Sequence, residues 1–416
     1  MTNALGVDFG TSNSTAGWRR PGQPSLLPLE DGKATLPSVV FFNAEENAVS
    51  FGRAALAGYL AGHEGRLMRS LKSLLGSSLI DGQTEVMGRA LSYRSLLSQF
   101  IAELKRRAEQ AAGRGFDQAV FGRPVFFVDD DAKADKLAEE TLADIARAAG
   151  FRDVAFQFEP IAAAFDYESQ IDREELVLVV DIGGGTSDFS LVKLSPQSAG
   201  KTDRRGDVLA YAGVHIGGTD FDKYLSLSHV MPLLGLGSRL KNQSEMPSGF
   251  YFNLATWHTI NLAYTRQAEN QLRDIYRDAV ERDKLDRLLD LIDQRAGHWL
   301  AIQVEQGKIA LSEATRIELE LERLSPPQTV LLEREQFDHA IGQLVGSIEQ
   351  TVLRLLADAG IDRKEIATVF FTGGSSAVPY LRRRISGLLP EARHVEGDLF
   401  GSIGAGLALD AARRFG

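Results

Sequence analysis

Twice in this chain a short apolar run ends in an aspartate, a glycine turn and a hydroxyl, an order of residue types suited to holding a polyphosphate. The fuller copy is Leu176 to Ser190, LVLVVDIGGGTSDFS, where five apolar residues lead into Asp181, and Gly183, Gly184 and Gly185 precede Thr186. The run before the glycines predicts a buried strand, and the alternation after Thr186 predicts its antiparallel return. Consecutive glycines let the backbone take positive φ and bring its N–H groups close to an anion. Asp181 and Asp188 flank the turn with two carboxylates, which a hard cation such as Mg²⁺ accepts, usually through its own waters. From one copy alone, a hairpin whose glycines serve only the turn would read the same.

The second copy is Ala4 to Thr15, ALGVDFGTSNST, with Asp8, Gly10, the hydroxyls Thr11 and Ser12, and Asn13 at the start of the returning chain. One hairpin in each half implies a duplicated architecture. Two such loops facing each other could hold a polyphosphate and its metal between them, where neither half would suffice.

The scaffold for these loops is large enough for two lobes, each with its own core, at 416 residues. Hydrophobic residues at 44% and charged residues at 25% are ordinary for a globular protein. A formal charge of −10 argues against nucleic-acid partners, whose affinity comes largely from cations neutralising phosphates. Arg382, Arg383 and Arg384 read as a solvated helix face. The absence of cysteine excludes disulfides and thiolate metal sites. The N-terminus runs directly into an apolar strand with no signal-peptide pattern, and no stretch reaches membrane-spanning length, so a cytoplasmic protein without membrane contact is expected.

Along the chain, Pro37 to Phe42 predicts a strand, residues 43–104 a polar, partly helical insertion, and Val125 to Val128 another strand. Lys72, in Leu71-Lys72-Ser73-Leu74-Leu75, reads from its neighbours as a surface lysine on a leucine-rich helix. Asp129, Asp130 and Asp131 precede a helix over about 134–149 that Gly150 stops. Glu159 stands before Pro160 at a helix start. Gly217 and Gly218 open a helix and offer a second anion seat. Residues 235–249 read as an exposed loop, and 272–314 as one or two charged helices. Glu305, Lys308 and Ser312 share a face of that helical stretch, at i, i+3 and i+7. A strand over Ile317 to Leu321, a helix over Phe337 to Leu356 and a strand at Val369 to Phe371 follow. Gly373, Gly374 and Ser375 form a third glycine turn. Gly401, Gly404 and Gly406 sit in the last helix, where close helix contact between the lobes is expected.

Taken together, these pieces resemble the ATPase domain of the seventy-kilodalton heat-shock chaperones of DnaK type, within the actin and sugar-kinase superfamily. GVDFGTSNS resembles the first phosphate motif, LVVDIGGGTSDFS the second and FFTGGSSAVP the adenosine motif, while FEPIAAAFDY and DLFGSIGAGLA resemble the two connecting segments and GGTDFD the GGEDFD segment. The resemblance implies an α/β fold of actin-like, ribonuclease H-like type, two lobes from a duplicated α/β unit. Lobe I would cover 1–170 with an insertion at 43–104, lobe II 171–395 with an insertion at about 226–300, and 396–416 would be a connecting helix. It further implies ATP or ADP as ligand with Mg²⁺, weak hydrolysis to ADP and phosphate, a protein partner or cochaperone, and a monomer.

The resemblance also implies roles. Gly10, Thr11, Ser12 and Asn13 would hold the phosphates, opposite Gly183, Gly184, Gly185 and Thr186, with Gly217 and Gly218 beside them. Asp8 and Asp181 would bind Mg²⁺ through water, Asp188 and Glu159 would complete an acidic ring, and Lys72 would orient the attacking water. Glu305, Lys308, Ser312, Gly373, Gly374, Ser375 and Asp398 would surround adenosine. Ile309 stands where the family has an arginine that packs on adenine, and Thr219 replaces the acidic residue of GGEDFD. With the chain ending at Gly416, the resemblance is to short YegD-type members without a peptide-binding domain, and nucleotide-driven lobe motion would act on a partner. A small-molecule kinase or an actin-like filament subunit are the competing readings. A P-loop enzyme is excluded, since GxxxxGK[ST] is absent.

Overall fold

The computed structural model describes residues 3–128, 131–399 and 401–416. Its frame is two five-stranded sheets of the same topology. In lobe I, β1 (Ala4–Phe9), β2 (Asn13–Gly17) and β3 (Thr35–Pro37) form an antiparallel meander, and β4 (Gln118–Arg123) and β5 (Asp153–Phe158) add parallel strands beyond β1. In lobe II, β6 (Glu175–Ile182), β7 (Ser187–Leu194) and β8 (Val208–Val214) repeat the meander, and β9 (Thr368–Thr372) and β10 (Arg393–Glu396) repeat the parallel pair. The duplication expected from two glycine turns is therefore a duplication of the whole sheet. It matches the expected actin-like α/β fold.

The central strands β1 and β6 are apolar along most of their length because both sheet faces are covered. In lobe I, α1 (Tyr93–Ala112) and α2 (Ala132–Ala148) cover one face, burying Leu97, Phe100, Ile101, Leu142 and Ile145 against Val7, Phe9 and Phe121. Asp131 caps α2, accepting from the Lys133 and Ala134 amides, while Asp129 and Asp130 lie outside the described residues. Between the two sheets, α3 (Glu159–Glu168) shares a cluster with Val120, Val177, Val179, Leu407 and Ala411. Lobe II contributes α4 (Gly218–Leu225), α5 (Gly297–Glu313) and α6 (Gly342–Asp358). The chain closes with α7 (Ser402–Phe415), which crosses α3 so tightly that a Cβ at Gly406 would lie 1.9 Å from the Ala162 carbonyl oxygen. Of the three glycines expected to bring helices together between the lobes, only Gly406 meets a helix, and that helix is α3 of lobe I; Gly404 packs on Thr15 and Leu26, and Gly401 on Asp398 and Leu26.

Several elements differ from expectation. The strand expected at Val125 to Val128 ends at Arg123, where Pro124 cannot donate to the ladder. Pro37 to Phe42 is two strands, Thr35–Pro37 and Val39–Asn43, parted by buried Ser38. The insertion holds more strand than expected, with Ala48–Phe51, Gly65–Arg69, Gln83–Val86 and Arg89–Ser92, and its helix runs on to Ala112. The stretch 272–314 belongs to three helices, Arg266–Asp278, Arg282–Asp293 and α5. Helix 337–356 is broken at Ile341, between Arg334–Ala340 and α6. Within 235–249, Ser238 and Met246 are buried. Among the described residues no helix is long and apolar enough to cross a membrane.

Candidate functional site

The two turns meet between the lobes. β1 and β2 place Asp8 opposite Thr15, and β6 and β7 place Asp181 opposite Asp188. The first turn, Gly10 to Ser12, is tied down by Ser38, whose hydroxyl donates to the Gly10 carbonyl at 2.7 Å and whose amide donates to the Ser12 carbonyl at 2.9 Å. Asn13 opens β2, with its carbonyl packed under Gly10. In the second turn the Gly183 amide donates to the Thr186 carbonyl at 3.0 Å. A Cβ at Gly184 would lie 2.2 Å from Ser12 Oγ, so the hairpins of separate lobes touch here. Thr11, Ser12, Gly183, Gly184 and Gly185 are all partly open.

Around this contact lie four carboxylates, with Lys72 as their cation. Lys72 is not on a long helix but in a single turn, Leu71–Leu74, following Ser70 in left-handed conformation (φ 59°). Its Nζ donates to Glu159 Oε1 at 2.6 Å. Burial works to strip the proton from Lys72, but Glu159, Asp8 and Asp181 outweigh it and hold Nζ protonated above its usual range. The surface reading of Lys72 is therefore corrected: it is a buried partner of the acidic ring.

The carboxylates are crowded. Burial, then the Glu159 charge, pushes Asp8 up to about 7 against the pull of Lys72. Burial, then Asp188, Glu159 and Asp8, pushes Asp181 up to about 8. Burial also raises Asp188, although Thr186 donates to its Oδ2 at 2.9 Å and Tyr211 donates to its Oδ1. Fully ionised, four carboxylates against one lysine leave a strong local negative charge. Among the described residues no three His, Asp or Glu side chains converge as a direct ligand set. An oxygen-only donor pair, Asp8 and Asp181, in a surplus of negative charge fits a hard divalent ion held through its waters.

The segment at Gly217 and Gly218 behaves differently from an anion seat. The Gly218 amide donates to the Gly183 carbonyl at 3.0 Å, the Thr219 amide to the Gly184 carbonyl at 2.8 Å, and the Gly217 amide to Asp220 Oδ2 at 3.0 Å. Those donors are occupied in supporting the second turn, so α4 braces the hairpin. Beside it on α5, buried Lys308 donates to the Gly218 carbonyl at 3.1 Å and pairs with Asp222 at 2.9 Å. Burial raises Asp222 to about 6, with Lys308 pulling it down and Glu305 pushing it up. Glu305 and Ser312 are half-buried on the same helix, and Ile309 is 57% exposed. Ser375 is buried against Gly218, and Gly373, at φ 79°, packs its Cα against Asp181. Gly374 begins the short turn Gly374–Ala377 beside them. Asp398 lies at the turn into α7, directly after Gly397, whose amide donates to the Phe371 carbonyl at 3.1 Å; its carboxylate packs on Gly401 and its carbonyl accepts from Ser402.

Further from the turns, the inserted segments face each other across a cleft of about 1450 Å³. Tyr59 of lobe I hydrogen-bonds His298 Nδ1 of lobe II at 2.8 Å, and Arg69 stacks on the Trp257 ring at 4.2 Å. Neither these pairs nor Ser38, Asp222 and Tyr211 were found from sequence. Of these only Asp222, the second aspartate of GGTDFD, carried a local signal.

A family profile described as Hsp70 protein matches residues 81–234 and 270–411. The chaperone protein HscA of Citrobacter koseri is 27% identical over 98% of this chain and 58% of its own length. An HscA homolog of Actinobacillus pleuropneumoniae is 29% identical over 92% of this chain and 53% of its own length. The chain therefore spans little more than half the length of these relatives. With the duplicated sheets, the paired hairpins and a profile match over most of its residues, the chain belongs to the Hsp70 family.

Proposed function

We propose that the cleft between the lobes binds Mg-ATP and slowly hydrolyses it, and that the resulting change in lobe angle is read by a protein partner. The observation carrying this reading is the contact of Ser12 with Gly184, which brings an anion-suited turn from each lobe to one point beside Lys72 and its carboxylates. Thr11, Ser12 and the amides of the second turn would hold phosphates. Glu305, Lys308, Ser312 and Ser375 would line the nucleoside side, with Ile309 giving an apolar contact to the base in place of a cation. Mg²⁺, when bound, supplies charge neutralisation for the phosphates. Lys72 and Glu159 can orient a water in line with the terminal phosphate, and Thr186 and Asp188 can take up its hydrogen bonds. Phosphoryl transfer asks mainly for such positioning and charge stabilisation.

A partner surface is supported by lobe II. The family profile stops at 234 and resumes at 270, and nearby Phe252 (46% exposed), Leu262 (52%) and Val280 (59%) face solvent. Calorimetry with ATP and Mg²⁺ tests the nucleotide reading, and no heat of binding from a folded sample overturns it. Capture of a folded partner that differs between ATP and ADP tests the rest, and identical capture in both overturns nucleotide control.

A further inference from the structure

Asp188 is held from two directions, and the holder on the outer side belongs to the edge strand. On β7 and β8, Asp188 pairs with Gly213 and Ser190 pairs with Tyr211, which makes Tyr211 and Asp188 diagonal neighbours on one sheet face. The position directly opposite Asp188 is thus a glycine, and the tyrosine hydroxyl occupies the space it leaves. A Cβ at Gly213 would lie 2.6 Å from Tyr211 Oη and 3.2 Å from Asp188 Oδ1. Tyr211 Oη donates to Asp188 Oδ1 while Thr186 Oγ1 donates to Oδ2 at 2.9 Å, so each carboxylate oxygen has its own donor. Two donors on one carboxylate fix its plane as well as its position, and each bond is strengthened by the charge.

The other side of Tyr211 reaches the opposite lobe. Phe126, in the segment after β4 of lobe I and 46% exposed, lies edge-on to the Tyr211 ring, with centroids 5.8 Å apart at 66°. Tyr211 therefore stands between an aromatic of lobe I and a carboxylate of lobe II.

We infer that Tyr211 is a positioning residue for Asp188: its hydroxyl sets the carboxylate beside Thr186, and its ring, resting on Phe126, makes that setting depend on the angle between the lobes. The inference rests on the nucleotide reading above and adds to it the means by which lobe closure reaches the hydrolytic groups. Opening the lobes withdraws Phe126 from the Tyr211 ring and weakens the setting of Asp188 by its outer donor. Closure restores both donors at the moment the phosphates are gripped.

The test uses the whole chain and three readouts: single-turnover ATP hydrolysis with Mg²⁺, ADP affinity by calorimetry, and thermal unfolding. Tyr211→Phe keeps the ring and removes the donor, so hydrolysis is expected to slow about five- to tenfold. ADP affinity should stay within about twofold, because the hydroxyl acts on Asp188 and not on the ligand. Gly213→Ala, which expels the hydroxyl from its seat, is expected to reproduce that split without touching Tyr211. In an Asp188→Ala background, Tyr211→Phe should change the residual rate less than about twofold, as required if it acts only through Asp188. Phe126→Ala should slow hydrolysis while leaving ADP affinity unchanged.

Tyr211→Phe turning over at the parent rate overturns the inference, as does an equal loss in the Asp188→Ala background. Phe126→Ala at the parent rate overturns the coupling to the lobes. A parent protein that binds ATP without hydrolysing it overturns the inference but not nucleotide binding. A parent that binds no ATP overturns the functional reading itself, and this inference with it.

Discussion

Ser12 and Gly184 meet across the two lobes, so closely that a Cβ at 184 would come within 2.2 Å of Ser12 Oγ and displace the serine hydroxyl from its place between the turns. Gly184→Ala is therefore expected to hold the hairpins apart and weaken Mg-ATP binding about tenfold, in line with the cost of a modest steric insertion. The turn itself lies at the surface of lobe II, so thermal unfolding should shift little. Calorimetry of the variant beside the parent checks this, and unchanged affinity would show that closure does not bring these turns together on the nucleotide.

Lys72 is placed to act on the reaction more than on binding. Lys72→Ala should suppress single-turnover hydrolysis about a hundredfold, a usual effect of deleting one preorganised electrostatic group, while ATP affinity changes much less. Thr186→Ala should lower turnover more than affinity as well. If Lys72→Ala hydrolyses ATP at the parent rate, the lysine serves only to neutralise Glu159.

The crossing of α3 and α7 offers a stability test far from the nucleotide. Gly406→Val must move the Ala162 backbone, which a built Cβ would approach to 1.9 Å, and the helix has no flexible neighbour there to yield. A loss of about 3 kcal/mol or more is expected. Urea denaturation followed by circular dichroism measures it, and a variant with the parent midpoint would show that the helices can separate freely.

His298 gives a pH dependence of defined sign. Burial depresses it to about 4, below the ordinary value of 6.5, with the Trp257 backbone contact acting the other way. The folded protein thus excludes a proton that the unfolded chain accepts. The stability linked to this group is complete above pH 6.5 and is lost as pH falls towards 4, by up to about 1.4 kcal/mol per pH unit. The raised carboxylates Asp8, Asp181 and Asp222 act in the opposite sense, so the comparison must be with His298→Gln. The variant should lose less stability than the parent between pH 6.5 and 4.5. Parallel urea midpoints for the two proteins across that range would show that His298 takes up its proton in the folded state.

What could be read from the chain alone was everything that local pattern encodes. The two hairpins, the third glycine turn, Glu159 at a proline-led helix start and the small residues of the last helix follow from periodicity and turn chemistry, which act over a few residues. The pairing of Asp181 with Asp188 belongs to that class, because a hairpin register is set by its own turn. Element boundaries were less legible where one residue decided them: Pro124 ended a strand early, and Ser38 split another by bonding to the first turn. The tertiary structure alone decided which side chains share the site. Lys72 finds Glu159 across 87 residues, and Lys308 finds Asp222 across 86. Tyr211 reaches Asp188 from a neighbouring strand, in space left by Gly213. A lysine among leucines reads as a surface charge in any local window. It becomes a buried cation only when folding brings carboxylates around it, because desolvation and Coulomb attraction depend on what surrounds a group in space rather than in sequence.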